Sequence, residues 1–325
     1  MALHINHQTN DITTDSGKVK LNGTELGGTG GSSSSSSPWY GDRGILSGFG
    51  AFVNNIDYYD ITTTGNSSDF GDHTGNGSGF NGWASNGTRG VMGGAAGTNM
   101  FNSTAIDYIT IATTGNAADF GDLTVGRRVT GLSNGTYAVF AGGGNGDTID
   151  YITIASTGNA TDFGNLLANS NQMGGGWSDA TRGVFVSGNL TSGTTDQLEY
   201  VTIGSPSNST DFGDLLTTTR STSACSDTTR GVVCGGNEVN TIQYLTTQTT
   251  GNATDFGDLT GTTREPAAAS NATRAVVHMG KKDSSWSNSN TQDYFTIQTL
   301  GNASTFGNVT TNGNNGTAAT SGAAS

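Results

Sequence analysis

The fold of this chain is decided by the stretch Thr250-Gly251-Asn252-Ala253-Thr254-Asp255-Phe256-Gly257-Asp258-Leu259, which is one of six near-copies in the sequence. All six copies share a central phenylalanine followed by glycine, and these phenylalanines are Phe70, Phe120, Phe163, Phe212, Phe256 and Phe306. Successive phenylalanines lie 50, 43, 49, 44 and 50 residues apart. A period of roughly 40–50 residues is typical of chains built from repeated supersecondary units. We therefore interpret these phenylalanines as structural residues of a repeat.

The composition favours many small sheets over one large core. Of 325 residues, 52 are glycine and 3 are proline, and only 32% are hydrophobic. Repeated sheets that each pack on two neighbours tolerate such a polar composition, and short strands need many turn residues. The formal net charge of −13 argues against nucleic acid as a partner and equally against an anionic membrane surface.

The N-terminus carries neither a basic segment nor an apolar core, so a signal peptide is not expected. No run approaches the roughly eighteen apolar residues of a membrane-spanning helix. We expect synthesis in a cytoplasm and no membrane insertion.

Aligning the copies gives one unit of four short strands. The first strand is rich in small residues, as at 267–270, and the second reads Arg-Gly-Val and ends in Gly-Gly, as at 230–236. The third strand alternates apolar and polar residues, as at 149–154, which indicates a half-buried strand. A Thr-Gly-Asn turn then leads to the fourth strand, Asp-Phe-Gly-Asp-Leu.

This order resembles the kelch repeat of β-propellers. Arg128, Arg220 and Arg264 stand where kelch blades have an opening arginine. The Gly-Gly doublets match at 93–94, 142–143 and 235–236, and the third-strand aromatic matches at Tyr108, Tyr151, Tyr200, Tyr244 and Tyr294. Three doublets are replaced, three blades lack the opening arginine, and phenylalanine stands in for the usual tryptophan. The resemblance covers residues 38–325 and implies an all-β, six-bladed, kelch-like β-propeller.

The two ends predict how such a ring would close. The first copy begins at residues 42–46, already in the second strand of a unit, and the last copy continues into the small-residue stretch 317–324. We expect the C-terminal stretch to pair with the N-terminal one and complete the first blade, which leaves only short protected edges.

Residues 1–31 differ from the repeats and are predicted to be an extended docking arm. Residues 11–14 and 18–21 read as two strands around the turn 15–17, and Asn22-Gly23 offers a second turn. The apolar residues expected to dock are Ile5, Ile12, Val19 and Leu21. The serine run 32–37 is a flexible linker.

The repeated residues allow several chemical interpretations. Asp-Phe-Gly is interpreted as a structural motif in which Phe256 wedges between sheets and Gly257 adopts a conformation open to glycine. Asn252, Asp255 and Asp258 are an alternative calcium site. The arginines before the second strands are inter-blade hydrogen-bond donors or, alternatively, a ring of ligand-binding cations: Arg43, Arg89, Arg182, Arg230 and Arg274.

The cysteines and histidines give weaker indications of function than the repeats do. Cys225 and Cys234 lie in neighbouring strands, so either a cross-strand disulfide or two buried small residues is expected. The four histidines have no metal-ligand spacing, and no catalytic constellation is visible. No cofactor and no enzymatic activity are expected.

The segments between second and third strands vary most, which is typical of a binding surface on a rigid scaffold. The candidate binding residues there are Met100, Phe101, Lys281, Lys282 and Trp286.

In its Gly/Ser/Thr/Asn-rich style and in residues 13–23, the chain also resembles bacteriophage tail-fibre and virion appendage proteins of marine phages. That resemblance implies a non-enzymatic virion protein that docks through residues 2–31 and contacts a host receptor, such as a glycan, through its propeller. A homotrimer formed through the arm is left open. The alternatives are a capsid decoration without a receptor and a polysaccharide hydrolase or lyase with its site in the propeller channel.

Overall fold

A computed structural model describes residues 3–6, 11–14, 20–21, 24–25, 40–48, 53–75, 81–94, 103–282, 287–313 and 318–322, with side chains from residue 40 onward except 311–313. The chain divides into two compact parts, Met1–Ser37 and Pro38–Ser325. All regular structure in the described residues is β-strand, so the prediction of an all-β fold is confirmed.

The first part contains two short antiparallel pairs. β1 (Leu3–Asn6) pairs with β2 (Asp11–Thr14), and β3 (Lys20–Leu21) pairs with β4 (Thr24–Glu25). The predicted pairing of residues 11–14 with 18–21 is therefore wrong. Residues 20–21 pair instead across the two residues Asn22-Gly23, a loop that costs little closure entropy.

The second part consists of six antiparallel units of four strands each, numbered here in chain order. The first strands are β30 (Ala318–Gly322) in unit 1, then β8 (Gly82–Ser85), β12 (Thr130–Ser133), β16 (Gly176–Ser178), β21 (Ser223–Ser226) and β25 (Ala267–Ser270). The second strands are β5 (Arg43–Ser47), β9 (Arg89–Gly93), β13 (Tyr137–Ala141), β17 (Arg182–Val186), β22 (Arg230–Cys234) and β26 (Arg274–His278). The third strands are β6 (Asn55–Asp60), β10 (Ala105–Thr110), β14 (Gly146–Thr153), β19 (Gly193–Thr202), β23 (Val239–Thr246) and β28 (Ser287–Thr296). The fourth strands are β7 (Ser68–Asp72), β11 (Ala118–Asp122), β15 (Thr161–Gln172), β20 (Thr210–Thr219), β24 (Thr254–Arg264) and β29 (Ser304–Gly313).

Two further strands join neighbouring units. β18 (Asn189–Leu190) pairs with both β15 and β19, and β27 (Lys281–Lys282) pairs with both β24 and β28. Hydrogen bonding therefore gives two nine-stranded sheets and two four-stranded sheets in this part of the chain.

The chain ends meet in unit 1. β30 pairs antiparallel with β5, with Thr320 opposite Ile45, so the last described strand completes the first unit. The six first strands lie side by side in cyclic order, and β30 contacts both β8 and β25.

The core lies between units and not within one of them. The described residues form six apolar clusters, one between each pair of neighbouring units. The six repeat phenylalanines are all buried. Phe256 of unit 5 packs on Phe295 of unit 6 with ring centroids 5.1 Å apart, which confirms that it wedges between sheets.

The glycine after each repeat phenylalanine is required by the neighbouring unit. Gly257 has φ +147°, and a Cβ there would overlap the carbonyl oxygen of Gly301 in unit 6. Only glycine allows this backbone conformation and this close approach together. The Asp-Phe-Gly and Thr-Gly-Asn segments are thus the two halves of one inter-unit contact.

Candidate functional site

The repeated arginines are inter-unit donors. Each guanidinium Nη1 donates to a carbonyl just after the third strand of the next unit, at 2.7 to 3.1 Å, from Arg43, Arg89, Arg182, Arg230 and Arg274. Each also lies over the tyrosine of its own third strand, as Arg89 does over Tyr108 at 4.5 Å. The prediction of inter-unit hydrogen bonds is confirmed, and these cations are occupied in holding units together.

A second set of contacts uses the turn asparagines. In all six units the asparagine Oδ1 accepts a backbone N–H from the preceding unit, at 3.0 to 3.1 Å; these residues are Asn66, Asn116, Asn159, Asn208, Asn252 and Asn302. Asn252 bonds the N–H of Asp214, while Asp255 is exposed. In the described part of the chain, no three His, Cys, Asp or Glu side chains come together as metal ligands. The Asn252 side chain is therefore part of a repeated structural contact.

A third set is made by a buried polar residue of each third strand. In four units an aspartate accepts the hydroxyl of a threonine from the preceding unit, in the pairs Asp57–Thr310, Asp107–Thr74, Asp150–Thr124 and Asp293–Thr260. In the other two units the partner is leucine, and a longer side chain reaches its backbone N–H. Glu199 accepts from Leu167 and Gln243 from Leu216, each at 2.8 Å. The threonine partners also donate their backbone N–H to the aspartates, so the two leucine units keep this backbone hydrogen bond and lack the hydroxyl one.

Serines connect the C-terminal ends of the first strands. Five of the six hydroxyls donate to the carbonyl of the serine in the preceding unit, at 2.5 to 2.7 Å, in a chain that runs from Ser321 through Ser270, Ser226, Ser178 and Ser133 to the carbonyl of Ser85. This end of the first strands is therefore bound together by repeated polar contacts.

The opposite, N-terminal end of the first strands is irregular and encloses a cavity of about 90 Å³, called here the first-strand cavity. Its polar lining includes Arg128 from unit 3, Gln172, Ser223 and Glu265. Arg128 and Glu265 come from segments that connect a fourth strand to the next first strand, whereas Gln172 ends β15 and Ser223 begins β21. Irregular residues concentrated around a polar cavity are the chief candidates for binding.

Glu265 lies among three cations. The Lys281 Nζ is 3.8 Å from Glu265 Oε2, and Arg264 Nε is 4.0 Å from Glu265 Oε1. Burial lowers the pKa of the Arg128 guanidinium, and the nearby Glu265 carboxylate opposes that shift. One carboxylate thus faces three positive groups in a protein whose formal net charge is −13. Of these four charged residues, Arg128 and Glu265 line the first-strand cavity.

The segments between second and third strands lie at this same end. A Cβ on Gly143 would overlap the Arg128 carbonyl oxygen, and one on Gly280 would overlap the carbonyl oxygens of Arg264 and Glu265. Glycine is therefore needed at these two positions, because the segments between second and third strands pass close to the residues before the first strands.

Two of the five predicted binding residues, Lys281 and Lys282, lie among the described residues. Lys281 is buried, and the Lys282 Nζ donates to Thr291 Oγ1 at 3.1 Å. Met100, Phe101 and Trp286 lie outside the described residues.

The predicted docking residues lie in the first part of the chain. Ile5 and Ile12 face each other in the β1–β2 register, and Leu21 pairs with Thr24. Val19 is outside the described residues.

Both cysteines are free thiols and buried, which confirms the interpretation as small interior residues. Burial raises the pKa of Cys225 to about 12 and that of Cys234 well above its ordinary value. Neither thiol is suited to act as a nucleophile, since the thiolate is the reactive form.

Two histidines are buried in positions that are apolar or small in most other units. His73 Nδ1 lies 3.6 Å from Asp107 Oδ2. Burial lowers the pKa of His278 to about 4, and a hydrogen bond with the Thr291 backbone opposes the shift. These are interior residues at unit boundaries.

Sequence reasoning missed Glu265, Gln172 and Ser223, and it treated Arg128 only as a repeat landmark. Their signal was the variable residue type, since Ser223 begins its first strand where Gly82, Thr130 and Ala267 begin theirs. None of the described residues forms a helix with the length and apolarity of a membrane span.

No protein-family model matches this chain, and no curated protein does.

Proposed function

We propose that residues 38–325 form a six-bladed, kelch-like β-propeller that acts as a non-enzymatic recognition head. The cyclic order of first strands, the pairing of β30 with β5 and the six inter-unit clusters support this architecture. Each four-stranded unit is one blade, and the strands β18 and β27 are additions that connect adjacent blades.

One observation carries the functional proposal. The repeated polar side chains of the described residues are used to connect blades, whereas irregular ones gather at the end that bears the first-strand cavity. A rigid scaffold with variation confined to one end is the usual arrangement of a binding protein. The recognition surface is therefore the end formed by the cavity and the segments between second and third strands.

The biological setting that we propose is a virion. Residues 2–31 dock on other virion proteins, the serine linker 32–37 separates them from the propeller, and the propeller contacts a host surface glycan. The resemblance of residues 13–23 and of the overall composition to phage tail-fibre proteins supports this setting. The two short strand pairs of the arm supply edges for β-augmentation by a partner.

A glycan array probed with the full chain tests recognition. Binding to a defined group of glycans supports the proposal. Binding to none favours a structural appendage, and turnover of a polysaccharide contradicts the non-enzymatic assignment. Deletion of residues 2–31 tests docking, because assembly of the truncated chain on particles would exclude the arm as the anchor.

A further inference from the structure

We propose that the first-strand cavity binds one neutral hexose ring, held by hydrogen bonds between the hydroxyl groups of the sugar and the lining, among them one to the Ser223 hydroxyl. This inference rests on the proposed function and names the ligand class of its recognition surface.

Ser223 supplies a hydroxyl that the fold does not use. The residue is buried and lines the cavity, and its Oγ has no hydrogen-bond partner among the described residues. In three other units the first strand begins with Gly82, Ala267 or Ala318, which have no hydroxyl, so the repeat does not require one here. A buried polar atom without a partner costs stability, and a ligand that bonds to it removes that cost.

The backbone of the first strands adds further polar groups. All six first strands contribute to the cavity lining, and each is the terminal strand of its unit, paired with its second strand alone. The other edge of each strand therefore offers backbone N–H donors and carbonyl acceptors. A sugar hydroxyl is both a donor and an acceptor, so it can bond to either kind of group.

The charges of the lining are balanced. Arg128 and Glu265 are the two charged residues that line the cavity, and they are opposite in sign. The lining itself therefore favours neither an anion nor a cation. A ligand with a charge of its own would lose hydration without a net opposite charge to meet, which is costly in a partly desolvated site.

Small side chains leave room for a ring. Gly131, Gly176, Ala224, Ala268 and Ala319 line the cavity at successive units. The volume of about 90 Å³ is several times the roughly 10–15 Å³ that one water needs. The cavity therefore has space for a ligand of the size of one sugar ring, and the alanine methyl groups contact its C–H groups.

The test is a calorimetric titration of the full chain with glucose, galactose and mannose. We expect at least one of these hexoses to bind, and its uronic acid to bind at least about tenfold more weakly, because the carboxylate must approach Glu265 as well as Arg128. Cyclohexanol, a neutral ring with a single hydroxyl, should not bind. The proposal is overturned if no hexose binds, or if the uronic acid or cyclohexanol binds as tightly as the hexose.

Two serine variants of the same strand assign the site. S223A should weaken hexose binding about threefold to tenfold, the value of one hydrogen bond, and should leave the urea midpoint unchanged because no protein partner is lost. S226A is the matched control, since its hydroxyl donates to the Ser178 carbonyl at 2.7 Å. It should lower the urea midpoint and leave hexose affinity unchanged. Equal effects of the two variants on affinity would overturn the assignment to Ser223.

The outcomes separate this inference from the proposed function. If the full chain binds array glycans but none of the three hexoses, the hexose site is wrong and the recognition head stands. If a hexose binds and no array glycan does, the cavity site stands and recognition of surface glycans is wrong.

Discussion

Thr310 Oγ1 donates a 2.6 Å hydrogen bond to Asp57 Oδ1, and the Thr310 backbone N–H donates to Oδ2 of the same carboxylate at 2.8 Å. Asp57 is fully buried and also accepts the Ser67 hydroxyl. The two residues are 253 positions apart, so this contact joins the sixth unit to the first. The closing boundary is therefore held by the same type of contact as three of the other five.

Replacing this carboxylate should destabilise the closing boundary. D57A leaves three donors without their acceptor, and each lost hydrogen bond to a charged group costs about 1.5–3 kcal/mol. We expect a loss of at least about 3 kcal/mol in the free energy of unfolding, measured by urea titration. D119N, at an exposed position of the fourth strand, should stay within about 0.5 kcal/mol of the wild type. Equal stabilities of D57A and D119N would show that Asp57 does not hold the boundary.

The pairing of long acceptors with leucine predicts a specific coupling. E199D should cost about 2 kcal/mol, because the shorter side chain cannot keep both the Ser187 hydroxyl bond on Oε1 and the Leu167 N–H bond on Oε2. L167T alone should be nearly neutral, since Leu167 is 45% exposed. The double variant recreates the Asp–Thr pair of the other units and should recover about half of the loss. A double-mutant cycle with strictly additive free energies would contradict the length matching.

The arginine contacts can be tested by removal and by addition. R89M loses the hydrogen bond to the Ile154 carbonyl and the contact with Tyr108, at a cost of about 1–2 kcal/mol. Unit 3 has Tyr137 at this position, so Y137R supplies the missing donor and should stabilise the protein by up to about 1 kcal/mol. Thermal or urea unfolding measures both changes, and destabilisation by Y137R would show that Tyr137 has a packing role that arginine cannot replace.

His278 predicts a pH dependence of stability. Its pKa is lowered to about 4 in the folded protein, against 6.5 as the ordinary value. The unfolded chain therefore binds more protons between these values, and stability rises with pH across that window. The part of the unfolding free energy that depends on His278 reaches its full value above about pH 6.5. It falls by roughly 3 kcal/mol as the pH drops to 4.

The variant H278V isolates this effect, because unit 4 carries Val186 at the equivalent strand position. The unfolding free energies of the wild type and H278V should be most similar at neutral pH. As the pH falls toward 4, H278V should become increasingly more stable than the wild type. Asp293 titrates in both proteins, so its contribution cancels in the difference. A difference independent of pH would exclude His278 as the source.

The buried thiols should be unreactive in the folded protein. Burial raises the pKa of both Cys225 and Cys234, so the thiolate is scarce at neutral pH. We expect a thiol reagent to label neither cysteine on the minute timescale under native conditions and both after unfolding in urea. Rapid labelling of either in native buffer would contradict its burial.

Much of the local structure could be predicted from the repeat. The strand order, the burial of Phe256 and the inter-unit role of Arg89 follow from patterns that recur along the chain. The proximity of Arg128 to Glu265 could not be predicted, because it depends on units that lie far apart in sequence but share one cavity. The match between Glu199 and Leu167 was equally hidden, since it requires knowledge of which units are neighbours.

The central claim is that the residues that join neighbouring units differ from those that bind a ligand. The most direct test is a glycan array probed in parallel with the full-length wild type, R128M and R89M. We predict that the wild type and R89M bind the same glycans and that R128M, which changes a residue of the cavity lining, loses them. Retention of binding by R128M together with its loss in R89M would contradict the assignment of recognition to the cavity end.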